Sequence, residues 1–195
     1  MSHSKEDFPV IQKVLLVVMA VLLVTVTAWV SLREQKVQRM TNLDFFKSLN
    51  YEDGLSVVTD TLKHFPLQYA ATLGQDGNPQ IRPIEFKFEE DGVLYFDTVT
   101  FYTSYQELLV HPYLQLCVCD SETMTYLRLG GKVNFTTDQR IIDRCFAESP
   151  VLTSQFGENR DVVIGYYLTE TWAEFSSFSE ELPRRQYMLP NKFDA

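Results

Sequence analysis

After Pro66 the chain breaks into six short strand-like runs: "QYAATLG", "QIRPIEFKF", "GVLYFDTV", "YLQLCVC", "TYLRLGGKVNF" and "DVVIGYYLTETWAEFSSF". Their composition and length are those of strands, and turn residues bound them. "QDGNP" and "EEDG" separate the first three and supply the turn residues of a hairpin ladder. Upstream, Phe45, Phe46, Leu49, Leu55, Val58, Leu62 and Phe65 recur at helical spacing, broken by "NYEDG". "TTDQRIIDRCFAE" predicts one short helix with Asp138 as N-cap and Ile141, Ile142, Cys145 and Phe146 on its apolar side. Short antiparallel strands with small helices predict a mostly β fold, a closed or half-closed barrel over about residues 55–180. Residues 33–54 read as a linker and helix start, and 181–195 as a C-terminal tail.

The 195 residues are 45% hydrophobic and 13% aromatic, enough for one domain with a sizeable core. A net charge of −9, from 17 basic and 26 acidic residues, would repel a phosphate backbone, and no basic stripe offsets it. Nucleic-acid binding is therefore not expected. Cys117, Cys119 and Cys145 have no matching His or Cys pair for a zinc site and read as ordinary thiols, so no metal is expected. His64 and His111 read as structural.

One segment departs from globular composition. Val14 to Leu32, "VLLVVMAVLLVTVTAWVSL", carries no charge and is long enough for a membrane-spanning helix, with a tail over residues 1–13 before it. Lys13 and Arg33 bracket it, and Trp29 stands where an interfacial aromatic belongs. The competing reading is a secretion signal cleaved near Ala28. Arg33, Lys36 and Arg39 outnumber Lys5 and Lys13, so a single-pass anchor would leave the barrel on the cytoplasmic side.

"FDTVTFYTSYQELLVHP", Phe96 to Pro112, leaves a strand through Thr98, Thr100, Tyr102, Thr103, Ser104 and Tyr105 and then turns amphipathic. "SYQE" fits a capping box, with Ser104 as cap and Glu107 reaching back. A helix N-terminus beside those hydroxyls could hold a phosphate without a cation; a plain capped helix after a strand explains the same residues. In "QIRPIEFKF", alternation places Arg82, Ile84, Phe86 and Phe88 on one face, and Pro83 confines the strand to an edge or bulge. Arg82 then needs either a carboxylate, such as Glu85 or Asp97, or an anionic ligand. Arg128 is a further candidate of the same kind. "GG" at Gly130 and Gly131 reads as a strand bend.

"AATLGQDGNPQIRPIEFKFEEDGVLYFDT", the hydroxyl-rich turn, "ELLVHPYLQLCV" and "YLRLGGKVNF", taken in order, resemble the pyridoxamine 5'-phosphate oxidase-like FMN-binding split-barrel family. The similarity covers about residues 56–180 and is strongest to the branch of nitroimidazole-resistance reductases. It implies a six-stranded antiparallel split β-barrel, here preceded by a transmembrane helix, and a homodimer with FMN in clefts at the subunit interface. Arg82, Pro83, Ile84 and Glu85 would then lie along the isoalloxazine. Thr98, Thr100, Tyr102, Thr103 and Ser104 would take the phosphate, and Arg128 is a weaker correspondence. Family members usually carry a Lys or Arg about where Tyr102, Thr103 and Ser104 stand. The cation would have to come instead from Arg82, Lys87, Arg128 or the partner subunit.

With flavin bound, the implied activity is FMN-dependent reduction of a small molecule, with no acid or base assigned. Two other readings stay open. One is a non-catalytic module for haem or a deazaflavin; the other is a barrel that serves as a scaffold after losing FMN.

Overall fold

In this computed structural model, residues 41–194 are described, together with Leu15, Val18, Met19 and residues 21–25. The chain divides into two units, Met1–Thr41 and Asn42–Ala195. The second runs α1 (Asn42–Ser48), α2 (Gly54–His64), β1 (Gln68–Leu73), β2 (Pro79–Ile84), β3 (Phe88–Glu90), β4 (Val93–Val99) and α3 (Thr103–Val110). It continues through β5 (Tyr113–Asp120), β6 (Thr125–Thr136), α4 (Gln139–Glu148), α5 (Pro150–Phe156), β7 (Val163–Ser177) and β8 (Arg185–Leu189).

The strands form one antiparallel sheet in the order β2-β1-β5-β6-β7-β4-β3, with β8 pairing residues 171–175 of the long β7 on the edge opposite β6, beyond the part that β4 pairs. Among the described residues the sheet has eight strands rather than six, for two reasons. "QIRPIEFKF" is divided, because the buried amide of Gln68 accepts from Phe86 N at 2.6 Å and donates to Leu62 O at 3.1 Å, taking the place of ladder bonds. "RQYML" then adds β8 along β7. Pro83 does sit on an edge strand, β2. Gly77 and Gly92, both at positive φ, close the turns of the first two hairpins. The register of β6 on β7 shifts between Gly130 and Lys132, so the glycine pair is a bend, and a Cβ on Gly130 would meet the Trp172 ring at 2.6 Å.

The expected membrane-spanning helix, and with it the single-pass location, is overturned: among the described residues no helix is long and apolar enough to cross a membrane. Of the run 14–32, only Leu15, Val18, Met19 and residues 21–25 are described, as helix, and the rest lies outside the described residues.

The core has two parts. Phe46, Val57, Leu62, Phe96, Leu116, Leu129, Leu168 and Phe175 join α1, α2 and the barrel interior. Phe88, Tyr95, Val99, Ile141, Cys145 and Leu152 pack α4 and α5 on the other face of β4. Alternation along β4 thus sends Leu94 and Phe96 inward and Val93, Tyr95 and Val99 outward, and both sets are buried. This is why "VLYF" is an unbroken apolar run. Asp138 caps α4 as expected, accepting from Arg140 N at 2.9 Å. Ser149 caps α5, which carries Pro150 in its first turn.

Candidate functional site

A cavity of about 640 Å³ opens between the edge of the barrel and α5. One wall is the segment from Arg82 to Lys87, with Arg82, Pro83, Ile84, Glu85 and Lys87 all lining it. The facing wall is the end of β4 and the start of α3, through Asp97, Thr98, Val99, Tyr102 and Ser104. Leu152 and Phe156 of α5 supply apolar surface. Strand alternation positions the polar members: Arg82 faces inward because it registers opposite buried Ala70.

Seven of the ten residues named from the sequence therefore share one cavity, and three do not. Thr100 lines a separate cavity of about 290 Å³ with Thr137, Gln139 and Arg160. Thr103 is exposed in the first turn of α3 and does not line the main cavity. Arg128 lies on β6, paired with Glu174 at 3.3 Å and stacked on the Trp172 ring at 5.4 Å.

The partner of Arg82 is neither Glu85 nor Asp97. Its Nη2 lies 2.8 Å from Glu107 Oε2, and its Nη1 donates to Thr72 Oγ1 at 2.5 Å. Thr72 in turn donates to the same Glu107 oxygen at 2.5 Å, closing a triangle. Glu107 is 2% exposed. The expected capping box is thereby corrected. Tyr102, not Ser104, is the N-cap of α3, without a side-chain bond, and Glu107 points into the barrel wall. The signal lay in the spacing: Ser104, Glu107 and Leu108 share the buried helical face. Thr98 Oγ1 and Ser104 Oγ stand 3.4 Å apart at the cavity.

Lys87, whose side chain is only 4% exposed, is the second cation. Its Nζ donates to Glu85 Oε2 at 2.6 Å and lies 3.2 Å from Asp97 Oδ2. That second contact is an ion pair without hydrogen-bond alignment, so among the described residues Asp97 Oδ2 is a buried oxygen with no aligned hydrogen-bond donor. Burial raises the Asp97 carboxyl above its usual value, with Lys87 pulling it down and Glu85 pushing it up. For Glu85 burial also raises, but hydrogen bonds from Lys87 and Ser149 outweigh it and hold the carboxyl below the usual range. Ser149 Oγ donates to Glu85 at 2.7 Å while accepting from Leu152 N at 3.2 Å, so the cap of α5 is also a wall of the ionic cluster. Behind it, burial, then the Asp97 charge, pushes the Cys145 thiol up to about 12, which makes it inert.

The sequence family described as Pyridoxamine 5'-phosphate oxidase matches residues 57–163. This chain belongs to that family. Solved relatives share the fold at low identity. A NimC/NimA family protein from Clostridium acetobutylicum is 19% identical, with a TM-score of 0.63 over 71% of this chain and 94% of that one. A protein from the same organism, related to general stress protein 26 of B. subtilis (pyridoxinephosphate oxidase family), is 13% identical, with a TM-score of 0.57 over 72% and 97%. A putative pyridoxamine 5'-phosphate oxidase from Listeria innocua is 14% identical, with a TM-score of 0.50 over 70% and 98%. No curated protein matches the sequence.

Members of this family commonly bind flavin, and the two ends of FMN fare differently against these residues. Pro83, Ile84, Val99, Leu152 and Phe156 line the cavity with apolar surface suited to a planar ring system. The phosphate does not fit. Both cations at the cavity are already paired, and three carboxylates, Glu85, Asp97 and Glu107, stand around them.

Proposed function

We propose that this member of the pyridoxamine 5'-phosphate oxidase family holds a flavin-class heterocycle in the 640 Å³ cavity and acts as an oxidoreductase on a small molecule. The observation that carries this reading is the convergence of Arg82, Pro83, Ile84, Glu85, Thr98, Tyr102 and Ser104 on one cavity. FMN is the member of the class that the family resemblance implies. A bound flavin would supply electron transfer between a donor and a small oxidised substrate. The chain's own part is binding and orientation. Ile84, Leu152 and Phe156 exclude water from the ring site, and the hydroxyls of Thr98 and Ser104 offer hydrogen bonds at one end.

The test is the visible absorption spectrum of the purified full-length protein, followed by titration with flavins and assay of reduced-nicotinamide oxidation. A flavin spectrum, or binding at about micromolar Kd, roughly 8 kcal/mol, is expected. Absence of both a flavin chromophore and flavin binding would defeat the proposal. Binding without turnover would favour the second reading, a ligand module for haem or a deazaflavin. That reading is supported by the internal pairing of both cavity cations, Arg82 with Glu107 and Lys87 with Glu85 and Asp97.

We also propose a homodimer. Its supporting observation is a row on the outward face of the sheet, where Ile81, Ala71, Gln115, Gly130, Trp172 and Met188 lie in register across six strands. Ile81 and Met188 are among its most exposed members, and Tyr69, Leu73 and Tyr113 add exposed apolar surface beside them. Sedimentation should give twice the chain mass, and Ile81→Asp should shift it toward one chain. A monomer at micromolar concentration would remove this reading.

A further inference from the structure

The chemistry of the cavity wall says more about the ligand than its size does. Among the described residues, Arg82 and Lys87 are the only Arg or Lys lining it. Arg82 is bound to Glu107 and Thr72, and Lys87 to Glu85 and Asp97. With all five groups ionised, the cluster holds one negative charge in excess. With Asp97 protonated it is neutral. The N-terminus of α3 adds about half an elementary positive charge, too little to host a phosphate monoester of roughly −2. Asp97 Oδ2 is buried 3.2 Å from Lys87 Nζ with no aligned hydrogen-bond donor among the described residues, so it adds an acceptor and no donor to the cavity. The turn adds no cation, because Tyr102, Thr103 and Ser104 stand there.

Resting on the flavin reading above, we infer that the cavity selects a heterocycle with an uncharged side chain, as in riboflavin, over its phosphate monoester. Glu107 is the chief specificity-determining residue. It occupies the Arg82 guanidinium that a phosphate would otherwise engage, while Glu85 and Asp97 occupy Lys87 in the same way. Polar tail atoms meet Thr98 and Ser104, which donate to neutral acceptors as well as to anions.

The test is calorimetric titration of the ligand-free full-length protein with riboflavin and with FMN at low ionic strength and neutral pH. Riboflavin is expected to bind more tightly than FMN. Glu107→Gln keeps an oxygen for Thr72 and frees the guanidinium. It should shift the ratio of the two affinities toward FMN by about tenfold, the value of roughly one charged hydrogen bond. Glu85→Gln is the second variant, should the first fail to fold, and shifts the ratio in the same direction. FMN binding about tenfold or more tighter than riboflavin in the natural protein overturns this inference and leaves the flavin reading standing. Binding of neither defeats both.

Discussion

Changing Lys87 to Met should destabilise the barrel by about 3–5 kcal/mol at pH 7, read as an earlier urea midpoint, because it removes one partner of a buried ion pair. The Lys87 side chain is 4% exposed and that of Asp97 13%, so water cannot take over the lost contact. Asp97 would be left with one oxygen that already lacks a hydrogen-bond donor and with Glu85 as a like charge nearby. The pH dependence follows from the direction of the Asp97 shift. Its carboxyl is raised in the folded state by burial, and Lys87 is the largest influence holding it down. Without Lys87 it rises further. An acid raised on folding loses stability as pH climbs from its unfolded value toward its folded one. The deficit of the variant should therefore be largest at neutral pH and shrink on acidification toward the ordinary carboxylate range. Asp97→Asn added to the variant should recover most of the loss. A midpoint unchanged at both pH values would show that the Lys87 ammonium contributes nothing net to stability.

The alternation and turn residues made the barrel readable, because a half-buried strand writes its two faces directly into the sequence. The edge position of Pro83, the cap at Asp138 and the bend at the glycine pair followed from local chemistry alone. β8 was not readable in that way. "RQYML" is short, mostly exposed and lies against β7 only after the long strand has formed, so its pairing is a tertiary event. The break between β2 and β3 was hidden for the same reason, since it depends on the amide of Gln68 on another strand. The candidate site shows the same division. Arg82, Thr98 and Ser104 were found because strand and turn patterns aim them. Glu107 was assigned to a cap because "SYQE" satisfies the local rule, although the barrel wall offers the same carboxylate Arg82 and Thr72. The cation that pairs with buried Glu107 lies far away in sequence, 25 residues in this case, and no periodicity reports it.

That pairing changes what Arg82→Ala should do. From the sequence alone it is a binding variant, expected to weaken ligand affinity on an intact barrel. In the structure it leaves Glu107, 2% exposed, with the Thr72 hydroxyl as its side-chain hydrogen-bond donor among the described residues and no cation. The expected cost is about 3–5 kcal/mol of unfolding free energy, again the penalty of an uncompensated buried charge. The double variant with Glu107→Gln separates the two roles. The amide oxygen can still accept from Thr72 and needs no counter-charge, so the double variant should be more stable than Arg82→Ala alone by roughly 1–3 kcal/mol. A cycle through the four proteins, each measured by urea unfolding at pH 7, gives the coupling directly. Zero coupling would mean that Glu107 holds its charge without Arg82, and the guanidinium would then be free to serve a ligand. Strong coupling would mean that the arginine at the head of the apolar row is primarily part of the barrel wall. Any loss of binding in Arg82→Ala would then have to be measured on the folded fraction before it could be assigned to contact with a ligand.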